Sequence, residues 1–520
     1  MRSIGQYKIS RTEHRGLPDN RGAGLIVMMV AIFLMTALMV TILNVTSSNI
    51  RLNNRHQNAA SALGDAESKV EMAALWLRNQ TTPPLTTVTP PVAVTLSGPV
   101  VQIIPDPNNG TQFLKMYTIR ASGVAGNVTK AVEVVVRQAT FGKYAYFTDR
   151  ETSSGGGAIW WNSADNIDGP VHSNNTGGTN FNINYSGWST YKRAIFQDTV
   201  TGAGNSINYS PSKPTTETTF TKIFKNGSTG YKLGVQKVLL PPSTDLQKQA
   251  AWGATTGFPT TTGVYLRADS TGGVYIQGDS TIAMSLDGGG NQVMTVKQGA
   301  NTTVLTFDKT SGTISTTGPM GSGSATSAAS FSNGVIYCSG NITSLAGTIA
   351  DNKVAGGAIT RSMAFNICTD TNAGKDITIT GDLVYNTRPD KTLPDTDPVN
   401  LAAATFGLVA RNIKIADGGA PNYAHPNREI DAVMLAGSNS IDGSVSVNNY
   451  SLGSTGTLKV IGGLIQSTRG PVGTLSGGTL AHGYAKDYHY DPRLASTPPP
   501  FYPTTGQYDR ISWRVKADGK

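Results

Sequence analysis

From Gly22 to Ile50 the chain carries no charged residue. Within that span Ala23–Val45, AGLIVMMVAIFLMTALMVTILNV, is apolar almost throughout. As a helix it would be about 34 Å long, enough to cross the hydrocarbon core of a bilayer. A core helix of a globular protein is seldom apolar round its whole circumference. A secretory signal has a shorter apolar region, ~7–15 residues, with a small-residue cleavage site just beyond. The run therefore predicts a single transmembrane helix. Ahead of it, residues 1–22 hold the bases Arg2, Lys8, Arg11, Arg15 and Arg21 against the acids Glu13 and Asp19. The positive-inside rule places that segment in the cytoplasm and everything after the span outside it.

The helical pattern continues past the apolar run. Val45, Leu52, Ala59, Ala66 and Ala73 recur every seven residues, and Leu63, Val70 and Leu77 fill the alternate seam. Spacings of three and four put these positions on one face. No Pro occurs between Ala23 and Gln80, and Gly64 is the only late breaker. One helix over 23–80 is expected, membrane-embedded in its first half and amphipathic in its second. Much of the seam is Ala, which lets another element approach closely. That element is either a neighbouring helix or the chain's own β domain.

These features together carry a resemblance. A short basic leader ends in Arg21-Gly22, a uniformly apolar helix follows, and then comes the stretch Ala59-Ala60-Ser61-Ala62-Leu63-Gly64-Asp65-Ala66-Glu67. This resembles the N-terminus of type IV prepilins, and in particular minor pilins of the PilX type. The resemblance implies cleavage by a membrane aspartyl peptidase, the prepilin peptidase, after Gly22, leaving Ala23 as the new N-terminus. It also implies other pilins or pseudopilins as partners of the helix. Major pilins carry a Glu as the fifth residue of the mature chain; Val27 stands there in this sequence, a departure from a self-polymerising pilin.

Beyond the helix the composition changes. Thr81-Thr82-Pro83-Pro84 and Pro90-Pro91 cannot continue a helix and read as a semi-rigid linker over 81–97. Residues 98–150 read as a small β module, with Met116–Ala121 and Ala131–Arg137 flanking Gly123–Gly126 as a hairpin. From residue 151 to 520 short apolar bursts alternate with turns of Gly, Asn and Asp. Examples are Gly273–Gly278, Gly334–Cys338, Asp376–Tyr385, Gly407–Ala410 with Ile413–Ile415, Ile441–Val447 and Leu458–Ile465. The chain has 59 Gly and only 14% charged residues, which suits strands and tight turns. The bursts recur every ~20–30 residues without a strict motif, the spacing of a parallel β-helix or solenoid. The alternative is a β-sandwich, with turns every ~8–12 residues. The expected fold class is thus mainly β behind one long helix. Ile167–Asn174, Ile377–Tyr385, Gly407–Ala410, Tyr490–Leu494 and Pro498–Phe501 also resemble an uncharacterised family of large bacterial surface domains, a likeness that implies no activity.

Candidate chemistry is sparse. Cys338 and Cys368 are the only cysteines. They are not spaced as a metal pair; in an oxidising compartment they could form one disulfide, and equally they could be buried thiols. His482 and His489, with Asp487 and Asp491, could hold a divalent metal, against the reading of an aromatic, polar C-terminal cap. His172 in Gly169-Pro170-Val171-His172-Ser173-Asn174 reads as a turn or strand-edge hydrogen-bonder. Asp165/Asp168 and Asp370/Asp376 are the loose carboxylate pairs that glycan cleavage would need. No nucleophile elbow, phosphate loop, HExxH or dinucleotide fingerprint occurs. No catalytic residue, cofactor or metal is therefore expected.

The formal charge is +9, of which the leader holds +3, so the remainder is thinly spread. The leading expectation is a non-enzymatic, minor-pilin-like structural or adhesion subunit. It would be anchored in a bacterial inner membrane, with its large domain periplasmic or on the cell surface. The alternatives are a membrane-anchored β-helix that binds or cleaves carbohydrate, and a DNA-capturing pilus component. Surface glycan and DNA are the corresponding ligands.

Overall fold

The computed structural model describes residues 21–80, 82–90, 101–110, 112–153, 155–176, 179–267, 269–328, 333–476 and 479–516. The expected leader 1–22 lies outside the described residues except for Arg21 and Gly22. So do residue 81 and residues 91–97 of the expected linker. A long N-terminal apolar helix precedes a mostly β body. The chain divides into two units: one of Met1–Pro105, Tyr117–Val135 and Ile511–Lys520, the other of Asp106–Met116 and Val136–Arg510.

In the first unit a single helix, α1, runs from Arg21 to Arg78, about 87 Å at the α-helical rise. Gly64 does not interrupt it. The helix ends where Asn79 and Gln80 close the last turn onto Leu75, Trp76 and Leu77 carbonyls, ahead of Pro83-Pro84. The strands β1 (Gln102–Pro105), β2 (Met116–Ala125) and β3 (Val128–Thr140) and the C-terminal strand Thr504–Lys516 form one sheet in that order. The predicted hairpin is β2 and β3, joined by the two-residue turn Gly126-Asn127. Besides the segment up to Pro105, this unit takes in 117–135 and 511–520. The reason is strand pairing. The last strand lies beside β3, a neighbour from the far end of the chain that no local pattern announces.

The second unit is built largely from stacked parallel strands, with an antiparallel meander over 280–328. One ladder contains, in spatial order, Val274–Gln277, Val335–Cys338, Phe365–Thr369, Phe406–Ala410, Arg428–Ala436, Thr455–Thr468, β4 (Tyr146–Arg150), Val171–Ser173, Val200–Gly202 and Tyr231–Leu233. A second contains Ser280–Leu286, Ile342–Ile349, Ile377–Tyr385, Ile413–Ile415 and Val445–Val447. A third joins Arg428–Ala436, Thr455–Thr468, Thr479–Tyr490 and Asn166–Asp168. The spatial order is not the chain order. Residues 146–233 climb away from the middle of the first ladder. The segment 234–273 returns to the far end, and residues 274–468 climb back until Thr455–Thr468 meets β4.

Register explains the core. Along the first ladder Val274, Ile336, Ile367, Leu408, Met434, Leu464, Tyr146, Val171, Val200 and Tyr231 stand directly above one another; nine of them are buried and Tyr231 packs against the same core. Their neighbours Tyr275, Tyr337, Cys368, Val409, Leu435, Ile465 and Phe147 form the opposite row. That row is buried too, because Val238, Leu240, Ala251, Leu494 and Tyr502 cover it. The strands are apolar on both faces, so they read as continuous bursts without alternation.

The same register keeps the two cysteines from bonding. Cys368 pairs with Tyr337, and Cys338 with Thr369. The one-residue offset points the two thiols to opposite faces of the sheet. Both are buried and free, and burial pushes both thiols above their ordinary range.

Candidate functional site

The first candidate is α1 itself. From Leu25 to Val45 its large apolar side chains are all exposed, Phe33 to 74%, and an 18-residue stretch of α1 reaches a mean hydropathy of 2.8. By length and composition it is a candidate membrane span. Thr36 and Thr41 donate their hydroxyls to the Ile32 and Ala37 carbonyls one turn back, so neither polar group requires water. Gly22 and Ala23, the expected processing site, both lie in α1. A Cβ built on Gly22 would meet nothing within 4 Å.

The second half of α1 packs against its own unit. Ala62, Ala66, Val70, Ala73 and Leu77 are buried. Four of these belong to the predicted seam. Ala62 replaces Ala59 and Leu63, which are only half-buried, while Val45 and Leu52 are exposed. A Cβ on Gly123 of β2 would stand 2.0 Å from the Ala62 carbonyl oxygen and 2.6 Å from the Ala66 nitrogen. Small residues on both sides therefore bring helix and strand backbone together. Lys69 Nζ donates to Asp65 Oδ2 at 2.9 Å and to the Ser122 carbonyl at 2.9 Å, and Val124 N donates to the same carboxylate. The element that the alanine seam anticipates is thus the chain's own sheet.

The second candidate lies on the third ladder of the second unit. Glu429, Lys459, Asp487 and Asn166 stand in register across four strands, and Asp431, Ile461, His489 and Asp168 form the adjacent row. His489 Nε2 lies 3.1 Å from Asp487 Oδ1, and its Nδ1 lies 3.7 Å from Asp168 Oδ2. The bond from His489, followed by that from Asn166, brings the Asp487 carboxyl down to about 2. Lys391 reaches Asp168, and Arg388 bridges Glu429 and Asp431 at 2.5 and 2.7 Å. Burial raises the Asp431 carboxyl despite Arg388. Beside this row lies a cavity of about 440 Å³ whose lining includes Lys391, Asp395, Lys459, Ile461, His489 and Tyr490. Glu429, Asp431, Asp168 and Asp487 each thus have a basic side chain beside them. A second cavity of about 450 Å³ is lined by Trp160, Asn162, Tyr450, Leu475, Leu480 and Lys486 among others.

The sequence candidates separate in space. His482 bonds the Gly453 carbonyl, and seven residues of strand put it about 23 Å from His489. Asp491 binds Arg493 instead. Among the described residues no group of three or more His, Cys, Asp or Glu is placed to hold a metal ion. Asp165 is buried against Lys486 at 2.8 Å, while Asp168 is outside with His489. Asp370 caps the Ala373 amide, and Asp376 binds Asn412 and Lys414. His172 is buried between Thr201 and Asn174 and stacks on Phe147. Arg388, Lys391, Glu429 and Lys459 carry no local motif: ladder register sets Glu429 beside Lys459, and Arg388 and Lys391 reach the rows from the loop after Ile377–Tyr385.

Residues 112–204 match a family model described as domain of unknown function (DUF4900). The match covers less than half of the chain and carries no activity. No curated protein matches. Among solved structures the chain is similar to the competence-associated pilin ComZ from Thermus thermophilus. The two align at 12% identity over 88% of this chain and 97% of that one, with a TM-score of 0.28. A likeness that loose carries no argument about fold or role.

Proposed function

We propose that this protein is a minor-pilin-like, non-enzymatic subunit, held in a bacterial inner membrane by residues 23–45 and displaying its β body outside the cytoplasm. One observation carries the reading: α1 is a single helix that is uncharged, almost wholly apolar and exposed from Ala23 to Val45 and whose second half is docked on its own sheet. A signal sequence leaves the mature chain, and a soluble core helix hides its apolar face; neither accounts for an apolar rod continuous with a packed domain. The basic leader supports an N-terminus in the cytoplasm. The stacked ladders are read as the faces of a parallel β-helix, a body that presents long surface rows for structural contact or adhesion. Prepilin peptidase would remove residues 1–22, and other pilins or pseudopilins would meet the exposed helix. Mass spectrometry of the protein extracted from membranes tests this. The expected N-terminus is Ala23. An intact Met1, or a terminus near Ser47, would sink the pilin reading.

A further inference from the structure

The segment of α1 between its two halves carries an unmatched pair of charges. Arg51 and Arg55 are four residues apart, hence on one face of the helix, and both are exposed. Among the described residues neither has an ion-pair or hydrogen-bond partner. The sequence contains no Asp or Glu from Asn20 to Gly64, so α1 supplies no carboxylate within a turn of either. Elsewhere in the same unit Lys69 sits against Asp65, and Arg120, Arg514 and Lys516 all sit against Glu133. Two like charges one turn apart repel unless an anion lies between or beside them.

Their position selects the anion. Arg51 is six residues beyond Val45, about 9 Å along the axis, and the polar headgroup layer extends roughly 5–8 Å beyond the hydrocarbon on each side. Helical side chains lean toward the N-terminus, here back toward the span, and a long Arg stem reaches further in the same direction. We propose that Arg51, with Arg55 one turn further on, binds the phosphate of anionic phospholipid headgroups in the leaflet where α1 leaves the bilayer. The positive charge of the two arginines attracts the anionic headgroup, and their N–H groups donate charge-assisted hydrogen bonds to its phosphate oxygens. The contact fixes the depth of the helix and places Asp65, the first acid on α1, on the aqueous side. This inference rests on the membrane-span reading but not on which side of the membrane the β body occupies.

The test uses the full chain in vesicles of phosphatidylcholine mixed with phosphatidylglycerol. Carbonate extraction comes first: wild type, R51Q/R55Q and R51K/R55K should all stay with the vesicles. Lipids that remain bound after mild detergent extraction are then counted by mass spectrometry. Bound phosphatidylglycerol should fall at least about twofold in R51Q/R55Q, remain near wild type in R51K/R55K, and decline with added salt. Equal phosphatidylglycerol on wild type and R51Q/R55Q would overturn the proposal while leaving the anchor intact, and is the result expected if the arginines meet an acidic protein instead. Equal losses in the Lys and Gln variants would also overturn it, since charge would not be the cause. Release of wild type by carbonate would remove the membrane reading and this inference together.

Discussion

Glu133 shows how much of the first unit depends on one carboxylate. It is buried on β3 and receives Arg120 Nε at 2.7 Å and Arg514 Nε at 2.7 Å, with Lys516 Nζ at 3.6 Å. Burial alone would raise its pKa. The hydrogen bonds from Arg120 and Arg514, with the charges of Arg514 and Lys516, outweigh burial and bring it from 4.5 down to about 2. A folded-state value below the unfolded one contributes stability that is present above about pH 4.5 and lost as pH falls toward 2. Glu133→Gln should therefore lower stability by about 1–2 kcal/mol at pH 7, kept small because its arginine partners are more than half exposed. The gap to wild type should close by pH 2. Unfolding midpoints measured from pH 7 to pH 2 check this, and a gap that persists at pH 2 would assign the effect to packing. No sequence motif marks Glu133, because its partners come from β2 and from a strand near the C-terminus. The cysteines make the same point from the other side. Residues 338 and 368 are on neighbouring strands, and a one-residue offset in register decides that they cannot bond.

At the level of elements, the place where Thr455–Thr468 and Thr479–Tyr490 meet β4 and Asn166–Asp168 joins two stretches of chain that are remote in sequence. Buried charges hold that seam. Arg469 donates to Glu151 at 2.8 Å and to the Ile159 carbonyl at 2.9 Å, and its guanidinium lies 4.0 Å from the Trp161 ring centre. Lys486 binds both oxygens of Asp165, and Gln466 donates to the Tyr146 hydroxyl. Removing one member leaves an uncompensated buried charge, which costs about 3–5 kcal/mol. Glu151→Leu and Arg469→Met should each destabilise by roughly that amount, and the double variant by clearly less than the sum. Urea unfolding of the four proteins measures this; simple additivity would mean that the two side chains do not act as a pair. Most strand bursts and their spacing were legible in the sequence, since each satisfies a local apolar pattern. The partner of each burst was not, because strands apolar on both faces carry no mark of which neighbour they accept.

For the whole molecule, the proposed pilin-like role raises the number of copies that one assembly could hold. Helices packed side by side lie about 8–10 Å apart. The second unit comprises Asp106–Met116 and Val136–Arg510. A compact body of that chain length has a radius of gyration of about 21 Å. Copies joined through neighbouring α1 helices would collide unless other, smaller subunits separated them. Val27, which offers no carboxylate to an adjacent chain, agrees with that. We therefore expect a rare or terminal subunit. Quantitative proteomics of sheared fibres should find it at trace level relative to the main pilin, and comparable abundance would defeat the proposal.

The sequence by itself determined the long helix, its apolar first half, most of its buried stripe, the β2–β3 hairpin and the β-rich remainder. Each of these is settled by residues within one or two turns, or a few strand positions, of one another. Only the tertiary structure decided that α1 docks through Ala62 and Ala66 onto Gly123. Nor could the sequence place the C-terminal strand beside β3, or show that residues 146–233 and 274–468 stack in an order different from the chain's. Those outcomes depend on backbone hydrogen bonds and close packing between segments far apart along the chain. Such contacts are selected by register and shape rather than by local composition.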